Sequence, residues 1–91
     1  MESEIKDDKY LWTVRFKSYQ ENWLKEYHNL KRNTIRKQDI LSDKRFEVLN
    51  SFIIKEINVL DIEIENKTTC EVFTRRITDV TKFDDYYIIS W

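Results

Sequence analysis

Apolar and polar residues alternate near the start of the chain. Tyr10, Trp12, Val14 and Phe16 fall on one side of an extended segment, with Leu11, Thr13 and Arg15 on the other. This period of two predicts a strand over residues 10–16. The period then lengthens. Ser18 and Glu21 have the spacing of a capping box, and Trp23, Leu24, Tyr27 and Leu30 recur at helical intervals. A helix is predicted over about residues 19–29. Residues 30–39 show the weakest periodicity and are read as a turn followed by a short strand at 34–36. Ser42 or Asp43 then caps a second helix, which buries Phe46, Leu49, Phe52 and Ile53 and ends near Lys55. Leu60, Ile62 and Ile64 alternate with Asp61, Glu63 and Glu65, the clearest strand pattern in the chain. Asn66-Lys67 is read as a tight turn, with Asn accepting the left-handed conformation. Residues 70–77 return as the partner strand, and residues 86–91 form a last strand buried for much of its length. Tyr86 and Tyr87 must face opposite ways on it. The order β-α-β-α-β-β-β predicts an α+β domain: a mixed, strongly curved sheet or small barrel of about five strands with two helices.

Composition narrows the class. Ninety-one residues make one domain, read as residues 9–91 behind a frayed, flexible segment 1–8. A domain this small needs a core dense in large side chains, and five Phe, five Tyr and three Trp supply it. The single cysteine, Cys70, rules out an internal disulfide and suits a reducing compartment, so a cytoplasmic location is expected. No apolar run reaches the roughly 20 residues of a membrane helix, and the charged residues 1–9 are not a secretory signal. The chain has no Gly and no Pro. That excludes Gly-rich phosphate loops and dinucleotide fingerprints, and it assigns turns with positive φ to Asn or Asp.

The net charge of −1 is unevenly spread. Residues 25–45 carry Lys25, Lys31, Arg32, Arg36, Lys37, Lys44 and Arg45, opposed only by Glu26, Asp39 and Asp43. Such a segment is an anion-binding site or a solvated face. Arg36 heads the candidates, because guanidinium forks match phosphate and base edges and stack on rings. The alternative is an ion pair with Asp39 or with an acid on a neighbouring strand. Arg32, Lys37, Lys44 and Arg45 are further phosphate contacts or plain surface. Trp12, Trp23 and Trp91 either stack bases or pack the core. His28 is read as a residue facing the negative end of the first helix. No cluster has zinc spacing; Asp79, Asp84 and Asp85 are the only candidates for a hard cation, and no cofactor is implied.

Two segments carry a resemblance. One is Lys31-Arg32-Asn33-Thr34-Ile35-Arg36-Lys37, followed by Asp39 and Asp43-Lys44-Arg45-Phe46. The other is Phe73-Thr74-Arg75-Arg76-Ile77-Thr78-Asp79-Val80, closing on Tyr86-Tyr87-Ile88-Ile89-Ser90-Trp91. Together they resemble the ASCH domains of the PUA-like superfamily, especially short members encoded by phages and prophages. The resemblance implies a pseudo-barrel with a cleft beside the basic stretch, and a ligand that is RNA, a nucleotide or a modified nucleoside. Some bacterial ASCH proteins are amidohydrolases acting on acetylated cytidine through a Lys and a Thr three apart with a later Glu. Lys31 and Thr34 match the first two. The glycine that precedes the lysine is missing, and only Asp84 and Asp85 stand where the acid is expected. On a regular strand residues three apart point to opposite faces, so both reach one pocket only across a turn or bulge. Small phage-type domains also bind and inhibit host proteins, which makes a host protein the second candidate partner.

Overall fold

The computed structural model describes residues 12–91. Six strands and two helices follow one another: β1 (Thr13–Ser18), α1 (Gln20–Tyr27), β2 (Asn33–Lys37), α2 (Lys44–Ile53), β3 (Asp61–Asn66), β4 (Val72–Arg76), β5 (Asp79–Phe83) and β6 (Tyr86–Ser90). The α+β class is as expected. The strands number six rather than about five, and they form two three-stranded sheets rather than a closed barrel. The first sheet runs β1-β3-β4, with β1 parallel and β4 antiparallel to β3. The second runs β2-β6-β5 and is antiparallel throughout.

Each central strand is explained by its sequence. β3 buries Ile62, Ile64 and Asn66 on one face. β6 buries Tyr87 and Ile89, while Tyr86 stays 44% exposed. The chain passes between sheets at residues 77–78: Ile77 N–H donates to the Leu60 carbonyl and Thr78 N–H to that of Ser90, both at 2.9 Å. Helix α2 packs against β1 and β5. Its Phe46 meets Phe16 edge-on at 6.0 Å and Tyr87 at 4.9 Å, joining the two sheets through one aromatic contact. Asp43 is the helix N-cap, accepting from Arg45 N–H at 3.0 Å. Phe46 and Leu49 are buried as expected, with Phe52 and Ile53 half-buried beside them.

Other expectations are corrected. Tyr10 and Leu11 lie outside the described residues, as does the segment 1–8. The strand expected at 10–16 is observed at Thr13–Ser18. Trp12 precedes it and is 42% exposed, whereas Val14 and Phe16 are buried. No capping box forms. Tyr19 is the N-cap of α1 and makes no side-chain cap bond, because the Ser18 hydroxyl is turned to Glu26, 3.0 Å away. The stripe of α1 is narrower than its pattern: Trp23 and Glu26 are buried, whereas Leu24, Tyr27 and Leu30 are exposed. His28 is the C-cap residue of α1. Asn66 does not take the left-handed turn position. It is buried, and its carboxamide oxygen accepts from Thr68 and Thr69 N–H, while Cys70 takes φ 65°. Positive φ falls on Asn29 and Asp84, as a chain without glycine requires, but also on Lys55 and Cys70.

The strand β5 is unexpected from sequence. Only Val80 is buried along it, so no alternation marks it. Asp84-Asp85 forms its two-residue turn into β6, with Asp84 at φ 55°.

Candidate functional site

Among the described residues, a groove of about 660 Å³ lies where β1, an edge of the first sheet, faces β2, an edge of the second. Arg15, Phe16 and Lys17 line one side, and Ile35, Arg36 and Lys37 the other. Arg45 and Phe46 enter from α2; Glu63, Glu65, Lys67 and Asp39 complete the rim. Six Lys or Arg and three Asp or Glu side chains therefore line it, an excess of three positive charges.

The backbone explains why two arginines meet here. The Trp12 and Ser18 carbonyls accept from Asp61 and Lys67 N–H on the β3 side. By alternation the Arg15 and Lys17 carbonyls point to the edge of β1 that pairs with no strand among the described residues. An open edge leaves such groups without a strand partner. Here guanidiniums take the place of one: Arg45 Nη1 donates to the Arg15 carbonyl at 3.0 Å, and Arg36 Nη1 to the Lys17 carbonyl at 2.7 Å. Both stack on Phe16, at 5.0 Å (Arg36) and 4.5 Å (Arg45) from the ring centroid.

Arg36 is the centre of a longer polar chain. Its Nε donates to the Thr34 hydroxyl at 2.9 Å and its Nη2 to the Ser18 hydroxyl at 2.7 Å. Ser18 in turn donates to Glu26 at 3.0 Å, and Lys31 Nζ lies 3.8 Å from the other Glu26 oxygen. Glu26 is 1% exposed, so a buried carboxylate balances a half-buried guanidinium through one hydroxyl. Burial is the main influence on Arg36 and pulls its pKa below the ordinary value; Glu26 opposes this and Arg45 adds to it. Arg36 stays cationic at neutral pH. Three of its five N–H groups are engaged among the described residues. Arg45 is gripped by Asp43, with Nη2 to Oδ2 at 2.6 Å. The side-chain hydrogen bonds hold Asp43 below the usual carboxylate range and raise Arg45.

The expected site residues divide. Arg36, Lys37 and Arg45 share the groove. Arg36 pairs with neither Asp39 nor an acid of a neighbouring strand; its partners among the described residues are hydroxyls and a carbonyl. Lys31 and Thr34 are the two ends of the polar chain. Thr34 is 3% exposed and its hydroxyl accepts from Arg36, while Lys31 faces Glu26. Arg32 is exposed, and its carbonyl accepts from Trp91 N–H. Lys44 lines a smaller hollow with Trp12, Glu47 and Val48. Trp23 and Trp91 pack the core, Trp23 donating through Nε1 to the Ile64 carbonyl at 2.9 Å. Among the described residues no three His, Cys, Asp or Glu side chains converge as metal ligands do, so Asp79, Asp84 and Asp85 are not brought together.

Sequence reasoning missed Arg15, Lys17 and Lys67 in the groove, and Glu26 beneath it. Lys17 was legible as the outward residue after Phe16. Lys67 arrives through the parallel pairing of β1 with β3, which sets the β3 turn beside Ser18. Glu26 carries no local signal, because only tertiary contacts bury it. Compared with known proteins, the chain matches no family model, no curated protein and no solved structure.

Proposed function

We propose that this domain is a binding module that holds single-stranded RNA, or a nucleotide or modified nucleoside of the same chemistry, along the groove between β1 and β2. The observation that carries the reading is the pair of guanidiniums stacked on Phe16 within a rim of excess positive charge. Guanidiniums donate to phosphate oxygens in pairs, and the lysines add sequence-independent attraction. The ASCH resemblance points the same way, since it expects a cleft beside the basic stretch. A helix-rigid duplex is the poorer fit, because the groove is one strand-seam long and has no recognition helix over it. The contacts of Lys31 and Thr34 give no support to the acetylcytidine amidohydrolase alternative: the threonine hydroxyl is buried and already bonded. A phage accessory protein acting on a host protein draws no support from the groove, whose rim is charged rather than apolar.

The test uses residues that line the groove without holding the fold together. Lys17 is exposed, and Lys67 lies over the Tyr19 ring at 4.2 Å. A short fluorescein-labelled single-stranded RNA is titrated with the wild type and with Lys17→Glu/Lys67→Glu. The wild type is expected to bind with a dissociation constant that rises with salt, by a log–log slope of about 0.7 per phosphate contact. The double variant is expected to bind at least about tenfold more weakly. Equal binding by the two proteins contradicts the groove, and no binding by either at roughly 50 μM and low salt contradicts the RNA reading altogether.

A further inference from the structure

The outer face of the second sheet departs from the usual rule that an antiparallel sheet turns polar residues to water. Its side chains form three cross-strand rows. The first is Lys37–Tyr86–Phe83, the second Ile35–Ile88–Thr81, and the third Asn33–Ser90–Asp79. Phe83 is 67% exposed, Ile35 59% and Tyr86 44%. A single exposed apolar residue needs no explanation. Here register makes them one continuous patch, and such patches mark interaction sites.

We propose that this face is the contact between two copies of this chain. Its charges select that occupant. Lys37 stands at one corner and Asp79 at the diagonally opposite corner. A two-fold axis along the other diagonal, from Phe83 to Asn33, sets each Lys37 over the partner copy's aspartate and packs Ile88 on Ile88. One patch is then complementary to itself, as an isologous contact requires. The strands of the two copies cross near a right angle, one of the two ordinary ways for sheets to pack. Nucleic acid fits this face less well, since the Asp84-Asp85 turn borders Phe83 and Tyr86 and Asp79 adds a further negative charge at the far corner. The face is on the order of 15 Å on a side, from strand spacing and rise. That falls short of the roughly 800 Å² per partner of a standard interface, so the dimer is weak and concentration-dependent.

Sedimentation equilibrium tests this between about 10 μM and 1 mM, a range chosen for a contact of that size. The wild type is expected to shift from monomer towards dimer. Lys37→Asp alone sets acid over acid, Asp79→Lys alone sets base over base, and Ile88→Lys sets charge over charge on the axis. Each is expected to weaken association at least about tenfold. An equimolar mixture of Lys37→Asp and Asp79→Lys restores both pairs and is expected to recover the dimer. All three positions face outward, and thermal melts check that the variants fold. A wild type that stays monomeric throughout the range overturns the proposal. So do variants that associate like the wild type, or a mixture that fails to recover. Loss of RNA binding by Asp79→Lys and Ile88→Lys, without self-association of the wild type, assigns the face to nucleic acid instead.

Discussion

The two sheets obey one alternation rule on their inner faces and opposite chemistry on their outer ones. Inside, Val14, Phe16, Ile62, Ile64 and Phe73 of the first sheet meet Tyr87, Ile89 and Val80 of the second in one core. Outside, the first sheet carries a ladder of opposite charges. Arg15 pairs with Glu63 at 3.1 Å, Arg76 with Asp61, and Lys17 stands in register with Glu65. The second sheet carries Ile35, Ile88, Phe83 and Tyr86 in the same positions. Inner-face residues specify the fold, and so must resemble one another. Outer-face residues are released from that duty, and here they differ: the first sheet carries paired charges, the second a run of exposed apolar side chains. The groove lies where the two edges meet, and its arginines belong to both demands at once.

The strongest way to break the comparison is to exchange inner and outer positions. Ile89→Ala removes a fully buried side chain from the second sheet. It is expected to lower unfolding free energy by about 2–5 kcal/mol in urea titration. Phe83→Lys, on the outer face of the same sheet, is expected to change it by less than about 0.5 kcal/mol. Equal losses at the two positions contradict the assignment of faces.

Arg36 tests the seam itself. Arg36→Met keeps much of the apolar stem but removes the donor to the Lys17 carbonyl and to the Thr34 and Ser18 hydroxyls, and takes away the positive charge that faces the buried Glu26. About 2–3 kcal/mol of stability is expected to be lost. A loss below about 0.5 kcal/mol in denaturant titration refutes its bridging role.

Asp43→Ala removes the cap of α2 and is expected to lower stability by about 1 kcal/mol. The same residue sets a pH dependence. Its folded-state pKa lies below the unfolded value because of the hydrogen bonds from Arg45. Its contribution is therefore complete above the unfolded carboxylate pKa of about 3.9 and is lost as pH falls through the lower folded-state value. Melts of wild type and Asp43→Asn between neutral and acid pH are expected to converge in that window.

A small effect is expected from the ladder on the first sheet. The Arg15–Glu63 pair is solvent-facing, with Arg15 the more exposed partner. Glu63→Gln is expected to cost about 0.2–1 kcal/mol, and less at high salt. A larger loss, measured in the same titration, means the outer face of the first sheet also supports the fold.

The legible parts of the molecule were those with local periodicity. β3, β6 and α2 follow from Ile62 and Ile64, from Tyr86 against Tyr87, and from Asp43 ahead of Phe46 and Leu49. β5 was not legible, since Val80 alone is buried among Asp79, Thr81, Lys82 and Phe83. The sheet partition was hidden too, because it depends on which edges pair across the chain. At the site, Arg36, Lys37 and Arg45 were visible as a local basic run. Lys17 showed only as the outward residue after Phe16, and Lys67 and Glu26 were hidden, since parallel pairing of β1 with β3 and the burial of α1 bring them in from elsewhere. Ser18 shows the same limit in miniature. Its spacing to Glu21 reads as a cap, yet tertiary contacts direct its hydroxyl to Glu26 and Arg36.

The most direct test of the proposed groove is an amide and arginine-side-chain NMR titration of the wild type with a short single-stranded RNA. Shifts are expected to cluster at Arg15–Lys17, Ile35–Lys37, Arg45 and Lys67, including the Nε–H signals of Arg36 and Arg45. Shifts confined to Thr81, Phe83, Tyr86 and Ile88 on the outer face of the second sheet, or no shifts at all, contradict it.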